Sequence, residues 1–268
     1  MPFYYIAGDI GGTNARLHLY LVPEKGDEEL IAERYYKSQD FNSLTAIVFR
    51  FLSDERIEEI PNSACFSLAG PVKNGSVDLT NLGWIISEKE MENELGIKNV
   101  TFLNDFAANG YGIQLLEEDE LFEISNNKVP EPNGPKIIIG AGTGLGEAFI
   151  FRKDSQSIVI PGEGGHTDFA PRTKVEFDLM LYIKKKLNLS RVGVERVISG
   201  PGIEMIYWFF VDNNPGLENK EVSDIIRSDS SPGKTITKFA IGKEDIICEK
   251  ALKLFIGCYG AEAGNMAL

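Results

Sequence analysis

The sequence predicts two mixed α/β domains, and three observations carry that expectation. Its 268 residues suffice for one large domain or two ordinary ones. The first hundred residues alternate, three strand-like stretches and then strand–helix units, as a mixed sheet requires. An arrangement of strand, glycine-rich turn and strand occurs twice, around "GDIGGTN" from Gly8 and "GAGTGLGE" from Gly140. A small α/β domain over residues 1–112 and a larger one over 113–268 follow from that repetition.

The elements are justified in order. Strands are expected at 3–9, 15–22 and 30–36; in the second, Leu17, Leu19 and Leu21 point to one face. Leu44, Ile47, Val48, Phe51 and Leu52 keep helical spacing and predict a helix over 41–53. A strand at 64–69 ends in Gly70-Pro71, a short helix spans 87–95, and a strand at 100–103 leads through Asn104 and Asp105 into another helix. The stretch 117–135, rich in Glu, Asn and Pro, reads as a loop or a domain boundary. The pattern then resumes with strands at 136–139, 148–152 and about 156–160, followed by helices near 174–187, 201–211 and 243–268. Lys184, Lys185 and Lys186 near the end of the first of these suit the negative end of the helix dipole.

Composition narrows the function. With 43% hydrophobic and 25% charged residues the chain is an ordinary globular one. Lys and Arg number 27 against 40 Asp and Glu, a net charge of -13, which argues against nucleic-acid and anionic-membrane partners. A phosphate ligand stays open, since backbone N–H groups bind anions on acidic proteins too. Cys65, Cys248 and Cys258 are an odd count without CxxC spacing, and read as buried thiols of a reducing compartment. "MPFYYIAGDIGG" has no basic segment leading into a long apolar one, and no apolar run approaches the roughly 20 residues that span a bilayer. A cytoplasmic location is expected.

The glycine turns do not fit the familiar nucleotide motifs. A G-x-G-x-x-G fingerprint from Gly140 or Gly142 needs glycine where Leu145 or Glu147 stands, and the residues after it are strand-like where a helix is required. "PGKT" at 232–235 lacks the first glycine of a Walker A loop, Ser228 standing there. Two strand-joining glycine turns survive, each with a threonine, Thr13 and Thr143. Singly each is an ordinary hairpin turn. As a pair, the first led by Asp9, which could hold Mg2+ through water, they favour a nucleotide clamp.

Five motifs, "GDIGGTNARLHLY", "TFLNDFAANGYGI", "IIGAGTGLGEAFI", "PGEGGHTDFAPR" and "VERVISGPGIEMIY", resemble those of bacterial-type glucokinases in order and spacing, from residue 3 to the end. The resemblance implies the two-domain actin-like ATPase (ribonuclease H-like) fold of the hexokinase/actin/Hsp70 superfamily, with ATP and glucose in an interdomain cleft. Asp9, Gly11, Gly12, Thr13, Asn14 and Arg16 match the first phosphate loop, with Mg2+ at Asp9; Gly140, Gly142, Thr143 and Gly144 match the second. Asp105 matches the general base that takes the proton of the sugar's primary hydroxyl. Asn104, Glu163, His166 and Glu195 match residues that bind sugar hydroxyls, beside Asp105 itself. Read from the residues alone, Asn104 and Asp105 are also good helix caps, His166 a packed or surface histidine and Glu195 a surface acid. His18, in an alternating strand, reads as structural. The resemblance also admits a homodimer.

Two departures stand out. Related sugar kinases and repressors carry a cysteine-rich zinc motif after the Gly-His pair; "GHTDFAPRTKVEFDLML" has no cysteine, so no structural zinc is expected. The family continues past "YGAEAGNMAL" with a glycine-rich turn on the adenosine and a final helix, so part of the second domain is expected to lie beyond Leu268. Among functions, ATP-dependent phosphorylation of glucose at its 6-hydroxyl leads. A catalytically silent sugar-binding or sugar-sensing protein of this fold is the alternative, though it would not need Asp105. An actin-like or chaperone-like ATPase would not need Glu163, His166 and Glu195, and a transcription regulator would carry a basic helix-turn-helix extension.

Overall fold

The alternating apolar residues of the first forty positions fold as an antiparallel meander of β1 (Phe3–Ile10), β2 (Asn14–Val22) and β3 (Glu29–Lys37). The computed structural model describes residues 3–124, 131, 134–154 and 156–268. The chain divides into two units, Met1–Leu121 and Phe122–Leu268. Their boundary falls in the polar stretch 117–135, of which 125–130, 132 and 133 lie outside the described residues.

In the first unit the meander is followed by α1 (Leu44–Asp54), β4 (Ser63–Leu68), β5 (Ser76–Leu79), β6 (Trp84–Ser87), α2 (Glu88–Leu95), β7 (Asn99–Asn104) and α3 (Asp105–Gly112). β4 and β7 add to β1 in parallel, giving the order β3-β2-β1-β4-β7. Edge strand β3 carries a bulge: Leu19 pairs with Ala32 but Tyr20 with Leu30, leaving Ile31 extra. α1 starts three residues later than its periodicity predicts, because Ser43 caps it, accepting from the Ala46 amide at 3.1 Å. The helix buries Leu44, Ile47, Val48 and Phe51 in one core with Ile6, Leu17, Phe66 and Leu68. Gly8 makes room for that core. A Cβ there would stand 2.5 Å from the Phe66 ring and 2.8 Å from Leu17. The β5–β6 hairpin has no counterpart among the elements expected from the sequence.

The second unit opens with another antiparallel meander, β8 (Lys136–Ala141), β9 (Leu145–Lys153) and β10 (Gln156–Gly162), in the order β10-β9-β8. Five helices follow: α4 (Lys174–Lys186), α5 (Gly200–Asn213), α6 (Lys220–Ser228), α7 (Pro232–Gly242) and α8 (Ile246–Met266). Neither α6 nor α7 is expected from the sequence, and the last helix starts later than position 243. There Lys243 is left-handed, with φ 55°, and ends α7; Asp245 then caps α8, accepting from the Cys248 amide at 2.7 Å. The core centres on fully buried Tyr207, whose hydroxyl meets Ser223 Oγ at 2.9 Å, among Leu179, Ile183, Ile226 and Ile236. All three cysteines are free thiols, Cys248 and Cys258 buried. Among the described residues no helix is long and apolar enough to cross a membrane.

The units carry one tryptophan each, Trp84 and Trp208, so their unfolding can be read separately. Phe66→Ala removes a fully buried ring and is expected to cost the first unit about 3–5 kcal/mol. Urea titration followed at Trp84 in a Trp208→Phe background measures this; the Trp208 signal, followed in a Trp84→Phe background, should hold its midpoint.

Candidate active site

The first glycine turn is Gly11–Thr13, between β1 and β2. Neither glycine is left-handed, so their smallness matters here rather than their backbone freedom. The Gly11 amide donates to the Asn14 carbonyl at 2.9 Å. Ser38, fully buried just after β3, latches the turn from outside: its hydroxyl donates to Gly11 O at 2.7 Å and its amide to Thr13 O at 2.9 Å. No sequence signal marked Ser38, since its partners Gly11 and Thr13 lie far upstream, Gly11 by 27 residues.

Asp9 stands opposite Arg16 in the β1–β2 ladder and beside Ser67 of β4. A hollow of about 280 Å³ is lined there by Asp9, Arg16, His18, Cys65 and Ser67. Arg16 does not point free: its guanidinium holds Glu33 at 2.6 Å and lies over the Tyr35 ring, 5.1 Å from its centre. Hydrogen bonds from Tyr35, Arg16 and His18 bring the Glu33 carboxyl down to about 2. Glu33 and Tyr35 were not singled out in the sequence; their role is set by strand register.

Asn104 and Asp105 sit where β7 becomes α3. Asn104 is the cap, accepting from the Phe106 and Ala107 amides at 2.9 and 3.2 Å while donating to Gly70 O at 3.3 Å. Asp105 is the first helical residue and exposed, with Oδ1 accepting from the Phe106 amide at 2.8 Å. The capping role thus belongs to Asn104, and the Asp105 carboxylate faces solvent at the positive end of the helix.

In the second unit the turn is Gly142–Gly144, between β8 and β9; Gly140 lies inside β8, paired with Gly146. The Gly142 carbonyl accepts from the Gly200 amide at 2.8 Å, which ties the turn to the start of α5. A cavity of about 890 Å³ opens beside it, lined among others by Thr143, Gly200, Ser231, Gly233 and Lys234. The N-termini of α5 and α7 both face this cavity, an arrangement that favours anions. "PGKT" is the first turn of α7, with Pro232 at its start. Its Gly233 lies close to α5, where a Cβ would be 3.1 Å from Gly200 O.

Glu163, His166 and Glu195 converge on the same unit. His166 Nδ1 lies 3.4 Å from Glu195 Oε1, and Nε2 lies 3.6 Å from Glu163 Oε2. A cleft of about 220 Å³ runs between His166, Gly193, Glu195 and Arg196. The glycines of "GEGGH" have steric reasons: a Cβ on Gly165 would come 2.8 Å from Leu145 O, and one on Gly164 would overlap the Glu147 carboxylate. Glu195 also touches the glycine turn, standing 3.0 Å from where a Gly144 Cβ would be.

A family model described as glucokinase matches residues 6–268. The chain belongs to the glucokinase family. A glucokinase of Nostoc sp. strain PCC 7120 is 42% identical over 98% of this chain and 80% of its own length. The solved glucokinase of an Antarctic psychrotroph gives a TM-score of 0.78 at 30% identity, covering 98% of this chain and 78% of that one. The glucokinase of Balamuthia mandrillaris, solved in complex with glucose, shares the fold at TM-score 0.73 and 24% identity, over 95% of this chain and 73% of that one. The actin-like ATPase fold expected from the sequence is the one these glucokinases share.

Glu147 of β9 is buried, and its Oε1 has no hydrogen-bond partner among the described residues. Burial, then Glu262 and Glu163, push its carboxyl above the usual range. The folded state therefore holds this proton after the unfolded chain has released it near pH 4, and the associated stability is lost as pH rises. Glu147→Gln escapes that loss, so its melting temperature should gain on wild type as pH is raised from about 4 to about 8. Thermal melts across that range check the slope.

Proposed function

We propose that this chain phosphorylates glucose at its 6-hydroxyl with ATP as donor. The convergence of Glu163, His166 and Glu195 beside a glycine turn carries the reading. Carboxylates accept from hydroxyls and an imidazole can donate or accept, so the trio suits a polyol better than a bare anion. The names of the relatives support the same chemistry.

In this reading Glu163, His166, Glu195 and Asn104 bind sugar hydroxyls, and Asp105 takes the proton of the 6-hydroxyl as it attacks the γ-phosphoryl group. An exposed carboxylate at a helix start can accept a proton from a hydroxyl placed against it. Asp9, Gly11, Gly12, Thr13, Asn14 and Arg16 on one unit, and Gly140, Gly142, Thr143 and Gly144 on the other, serve the nucleotide phosphates. The donor set at Asp9, one exposed carboxylate near a hydroxyl, fits Mg2+ held through its waters. Bound there, Mg2+ supplies charge neutralisation at the phosphates. The reaction belongs in the cytoplasm.

Asp105→Asn decides between kinase and silent sugar binder. Size and helix-start geometry persist, so glucose should bind within a few-fold of wild type by calorimetry. Turnover should fall by roughly 10²-fold or more, because the amide cannot accept the proton. Undiminished turnover rejects Asp105 as base.

Gly142→Val tests the second turn. A Cβ there meets nothing within 4 Å and the residue is not left-handed, so the fold tolerates the side chain. Projecting beside the cavity, it should weaken Mg-ATP at least about tenfold, as judged by KM, and leave glucose affinity unchanged. Loss of glucose affinity with ATP untouched contradicts the assignment.

A further inference from the structure

We propose that Glu147 is a positioning residue for the sugar-binding turn: its carboxyl group, wedged under Gly164, sets where Glu163 and His166 stand. The proposal rests on the reading of Glu163 and His166 as sugar ligands. Glu147 lies in the central strand β9, in register with Gly162 of β10 and Ile139 of β8. Its side chain is 3% exposed and runs up against the turn 164–166, so closely that a Cβ on Gly164 would overlap the carboxylate. The three heavy atoms nearest to that Cβ all belong to Glu147, so this side chain forms the floor directly under Gly164.

Folding alone does not call for an acid here. An unpartnered buried oxygen is a cost that a hydrocarbon of similar size would avoid. The carboxyl gives instead a floor of fixed height under the turn. Glu163 lies within electrostatic reach of Glu147, and its Oε2 stands 3.6 Å from His166 Nε2. Glu262 of α8 faces Glu147 as well, so the acid is crowded from the helix side and from the turn side alike. If the floor is removed, the turn can sink towards β9, and His166 leaves Glu195.

The test is a set of variants assayed for glucose binding by calorimetry and for KM towards glucose and Mg-ATP. Glu147→Ala should raise the glucose KM about tenfold and leave the ATP KM within about twofold. Glu147→Gln, which keeps the shape, should restore the glucose KM to within about twofold of wild type. Gly164→Ala, which leaves Glu147 in place, should by itself raise the glucose KM alone, and this cost should vanish in the Glu147→Ala background. Should the Ala variant at 147 prove too unstable to assay, Glu147→Asp, which is one methylene shorter and draws the carboxyl back from Gly164, takes its place in both measurements, while in the shape-preserving Glu147→Gln background the cost of Gly164→Ala should persist. A Gly164→Ala protein with wild-type glucose KM overturns the proposal, as does a Glu147→Ala protein whose two KM values rise together. Failure of the wild-type chain to bind glucose overturns the sugar reading itself, and is told apart by the unmodified protein alone.

Discussion

Close approach of one backbone to another around the β8–β9 turn is the constraint on which the second unit depends. Gly142 O receives the Gly200 amide, Gly165 lies against Leu145 O, and Gly233 lies against Gly200 O. Four chain segments, from β8–β9, the 163–166 turn, the start of α5 and the start of α7, can meet only because no side chain stands between them. The cavity beside Thr143 and the Glu163–His166–Glu195 cluster are therefore built on one turn from its two sides. A shift of a few tenths of an ångström at this turn reaches both, since packed interiors transmit displacement rather than absorb it.

The first unit uses a different device for the same end. Its turn is held by hydrogen bonds from Ser38, and a Cβ on Gly11 would stand 3.3 Å from the Asn14 carbonyl oxygen. Beyond it, Glu33 gathers Arg16, His18 and Tyr35. An arginine already paired to an acid is held in place, yet keeps donors to spare in its five N–H groups. Asn104 does similar work at the start of α3: it takes the capping role, and the neighbouring carboxylate stays exposed with one oxygen on the Phe106 amide.

Much of this was legible in the sequence, for reasons that particular residues make plain. Leu17, Leu19 and Leu21 alternate over a nine-residue strand, and glycines cluster at both turns where backbones must approach. The hairpin of β5 and β6 was not legible, because four-residue strands offer too few inward positions to show a period. Helix α7 opens with Pro and Gly and carries Thr235, Ile236, Thr237 and Ile241; its helicity comes from Ile236 and Ala240 in the core rather than from propensity. Ser38 and Glu33 escape because register across three strands creates their contacts. Glu147 left a sign: it shares a strand face with Leu145, so an acid stood where alternation called for a core residue.

The Ser38 latch ties the length of one strand to the shape of another's turn. Each residue added to or removed from β3 would carry the serine about 3.3 Å along the sheet, past both carbonyls it now holds. The bulge at Ile31 is a place where such a change in count could be absorbed, because a bulged strand can gain or lose its extra residue while the ladder beyond keeps step. Insertions and deletions in this meander should thus survive in compensated pairs, one near the bulge offsetting one elsewhere in the strand. Strand length, usually a neutral quantity at the edge of a sheet, becomes a heritable trait of the first glycine turn.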